Sequence, residues 1–390
     1  MIDLRAIEQA VFARAPDRVA RVLRALEALE RSAGFQDAAS PASGYGRLAA
    51  AAAYLLADRS SSIADDERQK LVLYNTLFAN LFAASEFRSA GFALAALYAG
   101  RGLPRDAETL DRYLALLGLD APIELDIDDI LALPPPRALL MALNFVAAKP
   151  VLTSGGEARR DAVLAQAGAL AGAELPATLT ALSLISNAWM NCSYSSRPDK
   201  HALKPALNAV LANLRGRLGF ADTPMAAPRP LKDRPTLVVV AEVIHQDHVQ
   251  FRYFGQYLRQ LRTRFELVLV APQAQVSASV PELFDRVAPF DSSTNSFLGQ
   301  VVAIIRGLEP DVIFWPSVGM ARWGPLLAGL RLAPIQLTAL GHSASTFIPA
   351  IDYYLTEEGY IGDPQLFSET LLLLPDASLL FEPSPTIKPP

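Results

Sequence analysis

The stretch from Thr236 to Leu261, TLVVVAEVIHQDHVQFRYFGQYLRQL, changes character once along its length. Up to Ala241 it is a continuous apolar run rich in β-branched residues. Such a run, with no polar alternation, fits a short strand covered on both faces. From His248 the pattern becomes that of an amphipathic helix, expected over His248–Arg264. Between the two lie Glu242, His245 and His248, so two of the chain's four histidines follow the end of a buried strand.

The same alternation recurs downstream. FELVLVA, RVAPF, DVIFWP, PIQLTAL, DYYLT and LLLLP are short apolar runs, and amphipathic helices are expected over Ser296–Leu308 and Met320–Leu330. Strands alternating with helices predict a parallel sheet covered on both faces. Ligands of such sheets bind beyond the carboxyl ends of the strands. Glu242, His245, His248, Ser317, Gly319 and His342 each follow a predicted strand, so they are expected to share that edge.

Upstream the composition differs. Residues 1–220 are rich in Ala, Leu, Arg and Glu, with apolar residues three and four apart, as in RVARVLRALEALERSAGF and HALKPALNAVLANLRGRLGF. This predicts an all-α domain of roughly nine or ten helices. LPPPRALLMALNFVAAKP places prolines at a helix start, and SSRPDKHALKPALN, with His201, reads as a helix start capped by Asp199. Residues 221–235 hold four prolines and no apolar period, which predicts a linker. The expected fold is therefore α + α/β: an N-terminal all-α domain, then a Rossmann-like parallel-sheet domain over 236–390.

Bulk properties exclude several classes. The chain has 390 residues, 51% of them hydrophobic, and a formal net charge of −5. No Lys/Arg block marks a nucleic-acid or anionic-membrane footprint. The start lacks the apolar core of a signal peptide, and the most apolar stretch, Leu48–Ala57, is about half of what spans a bilayer. A cytoplasmic protein is expected. One cysteine, Cys192, rules out an intramolecular disulfide and a multi-cysteine zinc site, and it reads as a small buried apolar residue.

The histidines admit three readings. They can cap the following helix. With Glu242 they can ligate a metal, although the spacing is loose and no HExxH is present. Or they can transfer a proton or contact a phosphate, since neutral imidazole titrates near pH 7 and helix N-termini attract anions. Two further turns favour a polar ligand. In WPSVGM, Ser317 can cap and Gly319 permits close backbone approach. In LGHSAST, Gly341 permits a tight turn beside His342. TSGGEARRD lacks GK[ST] and reads as a helix-start loop. The acidic pairs Asp128/Asp129 and Glu357/Glu358 read as solvated.

Beyond these readings, WPSVGM, RLAPIQLTALGHSAST, IDYYLTEEGYIG and FSETLLLLP resemble the bacterial cytoplasmic N-glycosyltransferases that modify high-molecular-weight adhesins, relatives of O-GlcNAc transferase. CSYSSRPDKHALK is similar to a segment of that family's all-α domain. The resemblance implies that residues 236–390 are the first Rossmann-like half of a GT-B fold. It implies an inverting, metal-independent transferase with no cofactor, moving glucose from UDP-glucose to Asn in Asn-x-Ser/Thr of an adhesin-like acceptor polypeptide. On matching positions, His248 takes the place of the active-site histidine. His245 matches a neighbouring family histidine, Arg252 the arginine four residues further on, and Gly341 and His342 the Gly-His of the sugar-donor-facing turn, with Ser317 and Gly319 added from the turn after their strand. Two positions depart from the family: Phe347 stands where a second histidine occurs, and Val243, before the histidine pair, stands where a family histidine can occur. The family's nucleotide-binding C-terminal half has no counterpart here. A fragment or shortened form with little activity alone is therefore expected. The alternative is a non-catalytic module that binds a protein through its helices and half-sheet.

Overall fold

The structure, a computed structural model, describes residues 2–30, 41–149, 151–224, 232–277, 279–294, 296–376, 378, 381 and 382. The predicted linker lies partly outside them, at 225–231. The chain forms two compact units, one of residues 1–176 with 191–200, the other of 177–190 with 201–390.

The first unit is helical: α1 (Leu4–Phe12), α2 (Arg18–Glu30), α3 (Pro41–Ala57), α4 (Asp65–Leu73), α5 (Asn75–Ala84), α6 (Gly91–Leu97), α7 (Ala107–Leu116), α8 (Ile127–Leu131), α9 (Pro135–Ala147) and α10 (Ser154–Ala165). Local signals set several of the ends. Asp3, Asp106 and Thr153 accept hydrogen bonds from Ala6, Thr109 and Gly156 amides, and the prolines at 135 and 136 open α9. TSGGEARRD is thus a helix start, as expected. Buried polar side chains close other ends. The Asn75 amide donates to the Leu114 and Leu117 carbonyls (2.7 and 2.8 Å), and the buried Arg112 guanidinium donates to the Leu55 and Asp58 carbonyls. Asp199 does not cap the helix that follows it. It pairs with Arg197 at 2.8 Å, an adjacent and stronger partner for a carboxylate.

The second unit holds α11 (Leu179–Asn191, all but its last residue), α12 (Leu203–Arg217) and the sheet. Among the described residues twelve α-helices therefore precede the sheet, where the composition predicts roughly nine or ten. Membership of the second unit for α11 and α12 follows packing, whereas the compositional boundary near 220 follows secondary structure.

The sheet has seven parallel strands: β1 (Thr236–Val240), β2 (Glu266–Pro272), β3 (Arg286–Phe290), β4 (Val312–Trp315), β5 (Ile335–Ala339), β6 (Tyr353–Glu357) and β7 (Thr370–Leu374). Their spatial order is β3-β2-β1-β4-β5-β6-β7, the doubly wound arrangement whose switch point lies between β1 and β4. The α + α/β reading is borne out: a helical N-terminal region precedes one Rossmann-like parallel sheet. β1 is buried at every residue and packs through Leu237 and Val239 against Phe251, Phe254 and Leu258 of α13 (Val249–Leu261). α14 (Phe297–Leu308) buries Phe297, Val301, Val302 and Ile305.

Two expectations fail here. The composition of LLLLP predicts a strand covered on both faces, yet β7 is the sheet's last strand and Leu372 and Leu373 are 39% and 48% exposed. A helix over Met320–Leu330 shrinks to α15 (Gly324–Ala328), because the amides that would have opened it are bound elsewhere, as shown below. Among the described residues no helix is long and apolar enough to cross a membrane.

Candidate functional site at the carboxyl edge of the sheet

β1 and β4 part at the switch point, and the residues after them meet there. Glu242, two residues beyond β1 and fully buried, accepts hydrogen bonds from the amides of Gly319 (3.0 Å) and Met320 (2.8 Å) and from Ser317 Oγ (3.3 Å). One carboxylate therefore gathers the donors of the turn after β4, which is why α15 starts late. Burial pushes the Glu242 carboxyl up to about 7, against the opposing pull of these donors. The carboxylate is committed to this turn. Among the described residues no three His, Cys, Asp or Glu side chains form a group that could hold a metal ion.

Two glycines follow from this packing. A Cβ at Gly324 would lie 1.4 Å from Glu242 Oε1. Gly319 has φ +112°, and a Cβ there would lie 2.4 Å from the Trp189 ring on α11. The close approach that Gly319 permits in this structure is to the Trp189 ring of α11. Its carbonyl accepts from Ser186 Oγ at 2.7 Å. Ser317 and Gly319 are both buried, so in this state they shape the rim from beneath.

The β1 exit leads into α13 through His248. Its Nδ1 accepts the Gln250 amide at 3.3 Å, so His248 is the helix N-cap. The capping reading is therefore realised. It also has a chemical consequence: with Nδ1 accepting, the proton of the neutral ring sits on Nε2. Burial, then the neighbouring His245, hold the His248 pKa below the ordinary histidine value. The ring thus offers a donor at Nε2 while the cap is intact. The rings of His245 and His248 lie 5.3 Å apart, both half-buried. Arg252, one turn along α13, donates to the Glu382 carbonyl (2.8 Å) and faces the Phe381 ring (4.2 Å). It is engaged by the chain beyond β7.

Sequence reading did not single out Gln250, yet this buried side chain links the three strand exits. It sits two residues beyond His248, its Nε2 donates to Ser317 Oγ, and that nitrogen lies 2.9 Å from where a Cβ of Gly341 would stand. Gly341 is needed because that Cβ would also lie 2.4 Å from the Pro316 carbonyl oxygen.

The turn after β5, Gly341 to Phe347, is held by a network of buried side chains. Glu369 accepts from Ser345 Oγ (2.7 Å), the Thr346 amide (2.8 Å) and Thr346 Oγ1. Tyr354 of β6 donates to the His342 carbonyl (2.9 Å), and Asn208 of α12 to the Phe347 carbonyl (2.6 Å). Lys204 of α12 lies 3.1 Å from His342 Nε2 and donates to the Ser345 carbonyl at 2.7 Å. Phe347 adopts φ +53°, a left-handed conformation that these bonds over-determine. Of the acidic pairs read as solvated, Asp128, Asp129 and Glu358 are exposed, but Glu357 is only 4% exposed. As the last residue of β6 it lies in register with Leu374 of β7.

The structure thus joins His248, Ser317 and the Gly341–His342 turn through Gln250, places His245 beside His248, and ties Arg252 to the chain after β7. No protein-family model matches the chain. It is similar to the UDP-glucose:protein N-β-glucosyltransferases of Actinobacillus pleuropneumoniae serotype 5b (strain L20) and serotype 7 (strain AP76), each 26% identical over 359 residues. Each match spans 87% of this chain and 56% of the relative, so the chain covers about half the length of these curated proteins. A solved O-GlcNAc transferase mutant from Thermobaculum terrenum aligns with TM-score 0.46 and 16% identity, over 92% of this chain and 58% of that one. The resemblance read in the strand-end motifs is therefore found, and across most of its length the chain is similar to bacterial UDP-glucose:protein N-β-glucosyltransferases.

Proposed function

We propose that these 390 residues are the acceptor-side part of a UDP-sugar-dependent protein N-glycosyltransferase. In this reading the sheet is the first half of a GT-B fold, and the acceptor is a polypeptide presenting Asn-x-Ser/Thr. The reaction is inverting and metal-independent, and the donor is UDP-glucose. The observation that supports the reading most is the rim itself. A doubly wound sheet carries a histidine pair at its switch point, and the buried Gln250 beside that pair bonds Ser317 and packs close to Gly341.

In the proposed reaction the side-chain amide nitrogen of Asn forms a bond to the sugar's anomeric carbon, the bond from that carbon to UDP breaks with its electron pair leaving on UDP, and the amide proton passes to solvent. An amide nitrogen is a poor nucleophile, so proton removal alone does not account for transfer. His248, neutral and protonated on Nε2, suits a different task. It donates a hydrogen bond that orients the acceptor amide through its carbonyl oxygen. His245 and His342 complete the rim on the substrate side, and Arg252 braces α13. The charge that develops on UDP needs fixed donors from a further lobe. Accordingly, these residues alone bind UDP-sugar poorly and transfer little.

Titrating the chain with an Asn-x-Thr peptide, and with its Gln-x-Thr control, while following the histidine ring resonances tests the proposal. Selective shifts at His245 and His248 with the Asn peptide are expected. Equal responses to both peptides, or none, would remove the acceptor reading. Measurable glucose transfer from UDP-glucose by this chain alone would overturn the claim that a further lobe is required.

A further inference from the structure

Lys204 is fully buried, and its side-chain nitrogen meets polar and aromatic partners within the second unit. It donates to the Ser345 carbonyl at 2.7 Å, lies 3.1 Å from His342 Nε2, and sits 5.2 Å from the centre of the Trp189 ring. An ammonium has three donors and no acceptor, and an aromatic face stabilises its charged form. With Lys204 charged, as its carbonyl and aromatic partners favour, the contact to His342 requires a lone pair on Nε2. In a neutral imidazole the proton must then be on Nδ1.

We propose that Lys204 is a positioning residue that fixes His342 as a neutral imidazole protonated on Nδ1, so that the Gly341–His342 turn acts by hydrogen-bond donation and takes no part in proton transfer. The groups around the ring agree. Lys204 and His201 approach it from the α12 side, the two histidine rings lying 6.0 Å apart. Tyr354 of β6 spends its hydroxyl on the His342 carbonyl, and the Glu369 carboxylate is occupied by Ser345 and Thr346. Burial first, then the Lys204 charge and His201, hold the His342 pKa well below the ordinary value. His342 and His248 thus emerge as complementary tautomers, one a donor at Nδ1 and the other at Nε2. The consequence for transfer rests on the function proposed above; the tautomer itself does not.

The test needs no activity. With four histidines in the chain, ring nitrogen resonances can be assigned in 15N-histidine-labelled protein by loss of one set in His342→Gln. The expected wild-type spectrum shows His342 with unprotonated Nε2 and protonated Nδ1, unchanged as pH falls through the range where free histidine titrates. A protonated Nε2, averaged nitrogens, or ordinary titration would overturn the proposal. In Lys204→Met the two nitrogen shifts are expected to move toward an averaged position and the ring to titrate. An unchanged pattern in the folded variant would show that Lys204 does not set the tautomer. Should that variant fail to fold, cross-peaks between the Lys204 ammonium protons and the His342 ring in the wild type decide the same point. Their absence would overturn it.

Discussion

Replacing Glu242 by Gln keeps the side chain's shape and removes its charge, and the structure fixes the consequence. In the folded protein burial raises the carboxyl from 4.5 to about 7. At about 1.4 kcal/mol per tenfold change in proton affinity, the ionised form is disfavoured by about 3 kcal/mol relative to the unfolded chain. Because the folded pKa is raised, the protonated state is the one that folding favours. Stability is full below pH 4.5 and falls as pH rises from there through about 7. Gln cannot ionise, so the variant lacks this fall. Its own cost is different: one buried amide of Gly319 or Met320 faces an NH2 group in place of an oxygen, which costs about 1–3 kcal/mol. The variant is therefore expected to be less stable than wild type at pH 5 and close to it at pH 8. Denaturant unfolding at both pH values measures this. All three tryptophans, Trp189, Trp315 and Trp323, lie in the second unit, so their fluorescence reports that unit alone. Parallel stability profiles for Glu242→Gln and wild type from pH 5 to 8 would refute the reasoning.

Gly324→Ala sets a methyl group on Glu242 Oε1, forcing the carboxylate off its amides. A loss on the order of 3 kcal/mol or more is expected by the same unfolding measurement, and a loss within experimental error would mean that α15 moves aside freely. His248→Ala removes an N-cap and is expected to cost about 1 kcal/mol. His248→Asn restores the cap and hence the stability, without the imidazole. Under the proposed function, Asn at this position leaves acceptor binding impaired, and recovery of peptide affinity by Asn would reduce His248 to a structural cap.

The sheet was legible because its central strands are unbroken apolar runs. TLVVVA and DVIFWP could be covered on both faces, and they are. β7 has the same composition but lies at the margin, and only its position in the strand order reveals that. The rim was legible in part. Histidines after strands stand out, whereas Gln250 reads as an ordinary polar residue of an amphipathic helix, and its buried position depends on Ser317, 67 residues away. Lys204 was invisible for the same reason, 138 residues from the histidine it contacts. The shortened α15 was unreadable because the local pattern is helical, and the carboxylate that captures its first amides comes from β1. Gly319 carried a signal for close approach, and its partner in the structure is the Trp189 ring.

β7 leaves one more result. Among the described residues it pairs only with β6, so one side of its backbone keeps unspent donors and acceptors along a row of four leucines. Natural sheets usually guard such a margin with lysine, proline or a bulge, and TLLLL has none of these. Among the described residues that margin is therefore a template to which a further strand can add.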